Sequence, residues 1–83
     1  MDEIARTSKQ LGAIVRKTRK ATGLTQGDLA SRIDLRQATI SDLENGERET
    51  RLGTILQVLA ALDLELLVRR RTRSTPNKLE EMF

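Results

Sequence analysis

The sequence predicts an all-α fold in which four short helices pack into one compact domain, followed by one short strand and a flexible tail. Three observations predict it. First, the chain has 83 residues of which 37% are hydrophobic, enough for one core but not two. Second, a single Phe is the only aromatic residue, so the core must be built from Leu, Ile and Val. Third, apolar residues recur at helical spacing in short runs separated by Gly, Thr and Asp. A chain this small also gains from burying surface against a second copy, so a dimer is expected.

Helix 1 is expected from about Ser8 to Thr22, because Leu11, Ile14, Val15 and Thr18 gather on one side at i, i+3, i+4 and i+7. Gly23 suits the left-handed position that ends it, since glycine has no Cβ to clash there. Thr25 supplies an N-cap for helix 2, Asp28 can reach back three residues as a short capping box, and Leu24 can staple onto Leu29. Helix 2 then runs from Gln26 to about Ile33, burying Leu29, Ala30 and Ile33. Gln37 to Asn45 forms helix 3, with Ile40 and Leu43 inward and Gly46 as the stop. Two short helices joined by a tight turn have helix-turn-helix geometry. Thr39, Ile40 and Leu43 cluster on one side of helix 3, while Gln37, Ala38, Ser41, Asp42 and Asn45 spread over the other. Helix 4 is expected from roughly Arg51 to Leu62, with Thr50 as cap and Leu52, Ile55, Leu56, Leu59 and Leu62 in register. Beyond Asp63, Leu64, Leu66 and Val68 alternate with Glu65, Leu67 and Arg69, a period of two that reads as a strand. Leu and Glu prefer helix, so a longer helix 4 is the alternative. Ser74 to Asn77 contains Pro76 and breaks regular structure, leaving a tail. Residues 1–70 form the domain and residues 71–83 the tail.

The chain contains no Cys and no His, which excludes thiol nucleophiles, disulfides, zinc fingers and imidazole bases. Paired acids such as Glu80 and Glu81 lie on the tail without metal-ligand spacing, so neither an enzyme nor a cofactor is expected. No continuous apolar segment is long enough for a membrane span or a signal sequence, which points to a cytoplasmic protein. The net charge is +3. Lys9, Arg16, Lys17, Arg19 and Lys20 share one segment without an acid, and Arg69, Arg70, Arg71 and Arg73 form a second cluster. Beside a DNA-reading helix these become candidate phosphate contacts.

The stretches Leu24-Thr25-Gln26-Gly27-Asp28-Leu29-Ala30 and Ala38-Thr39-Ile40-Ser41-Asp42-Leu43-Glu44-Asn45-Gly46, at their separation, resemble the helix-turn-helix of phage-repressor-like (Cro-type, XRE-type) proteins. The resemblance covers about Leu11 to Leu62. A closer similarity is to the HipB antitoxins, through Gln37-Ala38-Thr39-Ile40-Ser41, the Leu-rich helix 4 and the segment after it. That resemblance implies a homodimer whose short strands pair between subunits, repression of its own operon at a palindromic operator, and a HipA-like kinase toxin as partner. Two positions depart from the pattern. Asp34 stands at a turn where many relatives carry Gly, and Arg36 stands before helix 3 where a capping Ser or Thr is common.

With the start of helix 3 in the major groove, Gln37, Ala38 and Ser41 are the expected base contacts. Gln pairs with adenine N6 and N7, and the Ala methyl meets a thymine methyl. Gln26, Arg36 and Thr39 are the expected phosphate contacts, Gln26 by family resemblance and next to helix 2's first N–H groups. Arg19 and Glu44 align with a pair that ties helix 1 to helix 3 in the family. Leu64, Leu66 and Val68 are the expected dimer strand, since a lone strand leaves its ladder unpaired. Phe83 on its tether is a candidate toxin contact. Two other readings stay open: a stand-alone regulator without a toxin, and an adaptor that uses the fold for protein contacts, which the acidic Asp42 favours.

Overall fold

The computed structural model of the chain describes residues 2–71 and contains α1 (Ser8–Ala21), α2 (Gln26–Arg32), α3 (Gln37–Asn45) and α4 (Leu52–Ala61). The tail from Thr72 onward, and with it Arg73 and Phe83, lies outside the described residues.

Each helix begins and ends for a local chemical reason. Thr7 caps α1, its hydroxyl accepting from the Gln10 amide at 3.0 Å. Thr25 caps α2 in a complete capping box, with its hydroxyl accepting from the Asp28 amide and the Asp28 carboxylate accepting from the Thr25 amide, both at 3.0 Å. Hydrogen bonds to the carboxylate from Thr25, the backbone amide first and the hydroxyl second, hold the Asp28 carboxyl below its ordinary value. Arg36 begins α3 without a side-chain cap, so an exposed side chain is left over for another use. The same holds at α4: Arg51, not Thr50, is the capping residue, and no side chain caps it. The chain enters that helix one residue later than the Thr50 signal suggests.

Three of the helices end in the same device. After α1 the Gly23 and Leu24 amides donate to the Lys20 and Arg19 carbonyls; after α2 Asp34 and Leu35 donate to Ser31 and Ala30; after α4 Asp63 and Leu64 donate to Ala60 and Leu59. This is the Schellman pattern, which places the intervening residue in the left-handed region and an apolar residue after it onto the core. Gly23, Asp34 and Asp63 have φ of 78°, 56° and 59°, and Leu24, Leu35 and Leu64 all pack against the core. The device terminates α4 at Ala61 and rules out its extension through residues 64–70. No strand is formed among the described residues either. Leu64 turns inward, whereas Leu66 and Val68 are 53% and 86% exposed, so the three expected strand residues divide between core and surface.

Val15, Leu29, Ile40 and Val58, one from each helix, are fully buried, and Ala30, Leu43, Leu59 and Leu62 complete the core. Burial of each large aliphatic side chain contributes about 1.5–3 kcal/mol. On α4 the core side is Ile55, Val58, Leu59 and Leu62: Ile55, Leu59 and Leu62 keep the expected register, whereas Leu52 and Leu56 are 59% and 42% exposed and Val58 is buried in addition. α4 is apolar on two sides, so spacing alone admits two solutions, and contact with the other helices selects one. α3 packs against both α1 and α2. At the α1 contact Gly12 is buried, and a Cβ there would collide with the backbone carbonyls of Leu43 and Glu44. Gly46, at φ 66°, likewise lies against the Lys9 backbone. Two glycines thus let α3 sit directly on α1.

Candidate nucleic-acid interface

The outward side of α3 carries Gln37, Ala38 and Asn45 exposed and Ser41 half-buried, all within one face at about 100° per residue. Of the expected base contacts, Gln37, Ala38 and Ser41 therefore share one solvent-facing surface. Asn45 belongs to that face as well, two turns beyond Gln37. Arg36 is exposed at the entry to α3. Thr39 is half-buried on the flank between this face and Leu43, less open than the others.

Gln26 stands beside Gln37, although eleven residues separate them in sequence. The Gln37 Nε2 donates to Gln26 Oε1 at 3.4 Å, and the Gln26 Nε2 donates to Glu44 Oε1 at 3.1 Å. The expected phosphate contact is thus also a bridge between the outer face and the interior. In front of it lies an open cleft of about 500 Å³, bordered by Lys20, Thr25, Gln26, Gly27 and Gln37. Lys20 reaches this cleft from the end of α1, and its place beside the two glutamines was hidden in the sequence because the charges of α1 look alike there.

Behind the glutamines, Arg19 and Glu44 are in contact. Arg19 Nε donates to Glu44 Oε2 at 2.7 Å and Nη2 to Oε1 at 3.0 Å, a two-pronged bond; Nη1 donates to the Leu24 carbonyl at 2.8 Å. The side chains are 8% and 1% exposed. No buried side-chain polar atom among the described residues lacks a partner. Burial alone would push the Glu44 carboxyl up; the bonds from Arg19 and Gln26 and the charges of Arg19 and Arg16 outweigh it and hold it below its ordinary value. The same bond raises Arg19, so both groups are ionised at neutral pH.

Among the described residues no group of three His, Cys, Asp or Glu is placed to hold a metal ion, and no helix is long and apolar enough to cross a membrane. The exposed large apolar side chains among the described residues are Leu52 and Leu56 on α4, Leu66, Leu67 and Val68 after it, and Ile4.

The helix-turn-helix family profile matches residues 15–68. The chain is 33% identical over 72 residues to the antitoxin HipB of Escherichia coli strain K12, spanning 87% of this chain and 82% of that protein. It is 39% identical over 54 residues to an uncharacterized HTH-type transcriptional regulator of Sinorhizobium fredii, covering 65% of this chain but 28% of that protein. Among solved structures it resembles HipB in the HipB-O4 20mer complex and in the HipA-HipB-O2-O3 complex. In each case the TM-score is 0.76 at 32% identity, covering 87% of this chain and all of that one. The chain belongs to the helix-turn-helix family and, within it, to the HipB antitoxins.

Proposed function

We propose that this protein is a DNA-binding transcriptional repressor that acts as the antitoxin of a HipBA-type pair, binding duplex DNA as a homodimer and holding a HipA-like kinase toxin. The observation that carries the DNA half is the exposed Gln37 at the start of α3, joined to Gln26 and seated on a buried ion pair. An amide in that position has a donor and an acceptor for a base edge, and Ala38 and Ser41 flank it on the same face. Gln26, Arg36 and Thr39 then meet phosphates on either side, with Arg19 and Glu44 as the structural support.

The homodimer rests on the apolar surface that one chain leaves uncovered, Leu52 and Leu56 with Leu66 and Val68. Pairing of residues 64–70 with the same segment of a second copy would satisfy both backbones and double the half-site. The toxin half rests on likeness to HipB, which is found together with HipA in a solved complex. Phe83 is the side chain we assign to that contact. Such a protein works in the cytoplasm and needs no catalytic step or cofactor.

Salt-titrated binding to operator duplex tests the DNA reading. A dimer that neutralises roughly eight phosphates gives a slope of log K against log salt near −7, and a slope near zero refutes it. For the toxin, capture of a HipA-like kinase should fall when the chain is truncated after Lys78. A neighbouring frame that encodes no kinase-like protein would favour a stand-alone regulator.

A further inference from the structure

The face that reads DNA is chained to a group that never reaches solvent. Glu44, with a side chain 1% exposed, accepts from Arg19 Nε and Nη2 and from the Gln26 Nε2. A carboxylate has acceptors only, so the amide of Gln26 has no choice of orientation: its nitrogen faces Glu44 and its oxygen faces away, with the second N–H left for a phosphate. That oxygen accepts from the Gln37 Nε2. The constraint therefore passes on. Gln37 uses one N–H on Gln26, which leaves its second N–H and its oxygen for a ligand.

We propose that Glu44, out of reach of any DNA, is a positioning residue for base selection: through Gln26 it dictates which way round the Gln37 amide faces the major groove. The proposal rests on Gln37 being a base contact. Its consequence is a choice between purines. Adenine presents the N7 acceptor beside the N6 donor, which one N–H and one oxygen match; guanine presents two acceptors, N7 and O6. If the relay ran in the opposite sense, Gln37 would turn its oxygen toward Gln26 and present its NH2 group to the groove, which suits the two acceptors of guanine. An ionised carboxylate at the buried end of the relay therefore favours adenine.

The test uses the full chain and a pool of duplexes with randomised half-sites, selected at one salt concentration. Wild type should prefer adenine over guanine about tenfold at one position, and Gln37→Ala should erase that preference while leaving the others. Gln26→Leu leaves the Arg19–Glu44 pair intact but cuts the relay. It should bring the adenine-to-guanine ratio at that same position to about threefold or less with other positions unchanged, and Glu44→Gln should do the same wherever circular dichroism shows it folded. If Gln26→Leu weakens all sequences alike with the ratio intact, Gln26 is only a phosphate contact and the relay is overturned. If Gln37→Ala alters no position, the base-reading assignment itself fails. Should Glu44→Gln not fold, Gln26→Leu alone decides.

Discussion

The α2–α3 half of the molecule and the half formed by α4 and residues 64–71 treat their surfaces in opposite ways. In the first, each polar side chain drawn inward is paired, and the outer face is amide, hydroxyl and methyl groups. In the second, Leu52 and Leu56 on α4 and Leu66, Leu67 and Val68 after it remain exposed. The difference separates what one chain completes alone from what a second surface must complete. A polar reading face is finished in the monomer because hydrogen bonds close locally, whereas an apolar face is finished only by association.

The comparison breaks most severely at Glu44. Glu44→Ala leaves a buried Arg19 without its partner and should cost about 3–5 kcal/mol in thermal or denaturant unfolding, while Asp42→Ala stays within about 0.5 kcal/mol. Equal effects would refute the structural role of the pair. Because the Glu44 carboxyl is depressed in the folded protein, its contribution is complete above the unfolded-chain value of 4.5 and is lost as pH falls through the lower folded value. Glu44→Gln should therefore flatten the acid limb of the stability profile, with the depressed Asp28 supplying what slope remains.

Next in size is Gly12→Ala, which forces a methyl group into the backbone of the last turn of α3 and should cost about 3 kcal/mol. A melting temperature unchanged from wild type would mean that α1 and α3 are free to move apart.

The other half responds differently. Replacing Leu52 and Leu56 together by Asp should weaken self-association by about 2 kcal/mol or more in sedimentation equilibrium, since two Leu side chains lose their burial. Circular dichroism should still show four helices. Retention of the full dimer would place the interface elsewhere. Smallest is Asp34→Gly, which relieves a side chain at φ 56° and should raise unfolding stability by about 0.5 kcal/mol. Any destabilisation there would show that the Asp34 side chain contributes more than its backbone strain costs.

Most of the first half was legible from residues near one another in sequence. Thr25 with Asp28 announces the start of α2, Gly23 and Gly46 announce stops, and Ile40 with Leu43 orients α3, because caps and faces depend on neighbours within one or two turns. Asp34 and Asp63 were harder to read as helix stops, since Asp adopts the left-handed conformation less readily than Gly and marks turns of several kinds. The hydrogen bond from Gln37 to Gln26 was not legible at all. Each glutamine was assigned its own contact with DNA, and only the fold shows that they touch.

By itself the sequence determined the aliphatic core, the bounds of α1, α2 and α3, and the polar character of the α3 outer face, all consequences of short-range periodicity and capping. Tertiary structure alone decided three things: which of two apolar sides α4 buries, that Gly12 admits the backbone of α3, and that Glu44 reaches the reading face through Gln26. Each depends on groups from different helices meeting at van der Waals or hydrogen-bond distance, and spacing along one helix carries no information about what packs against it.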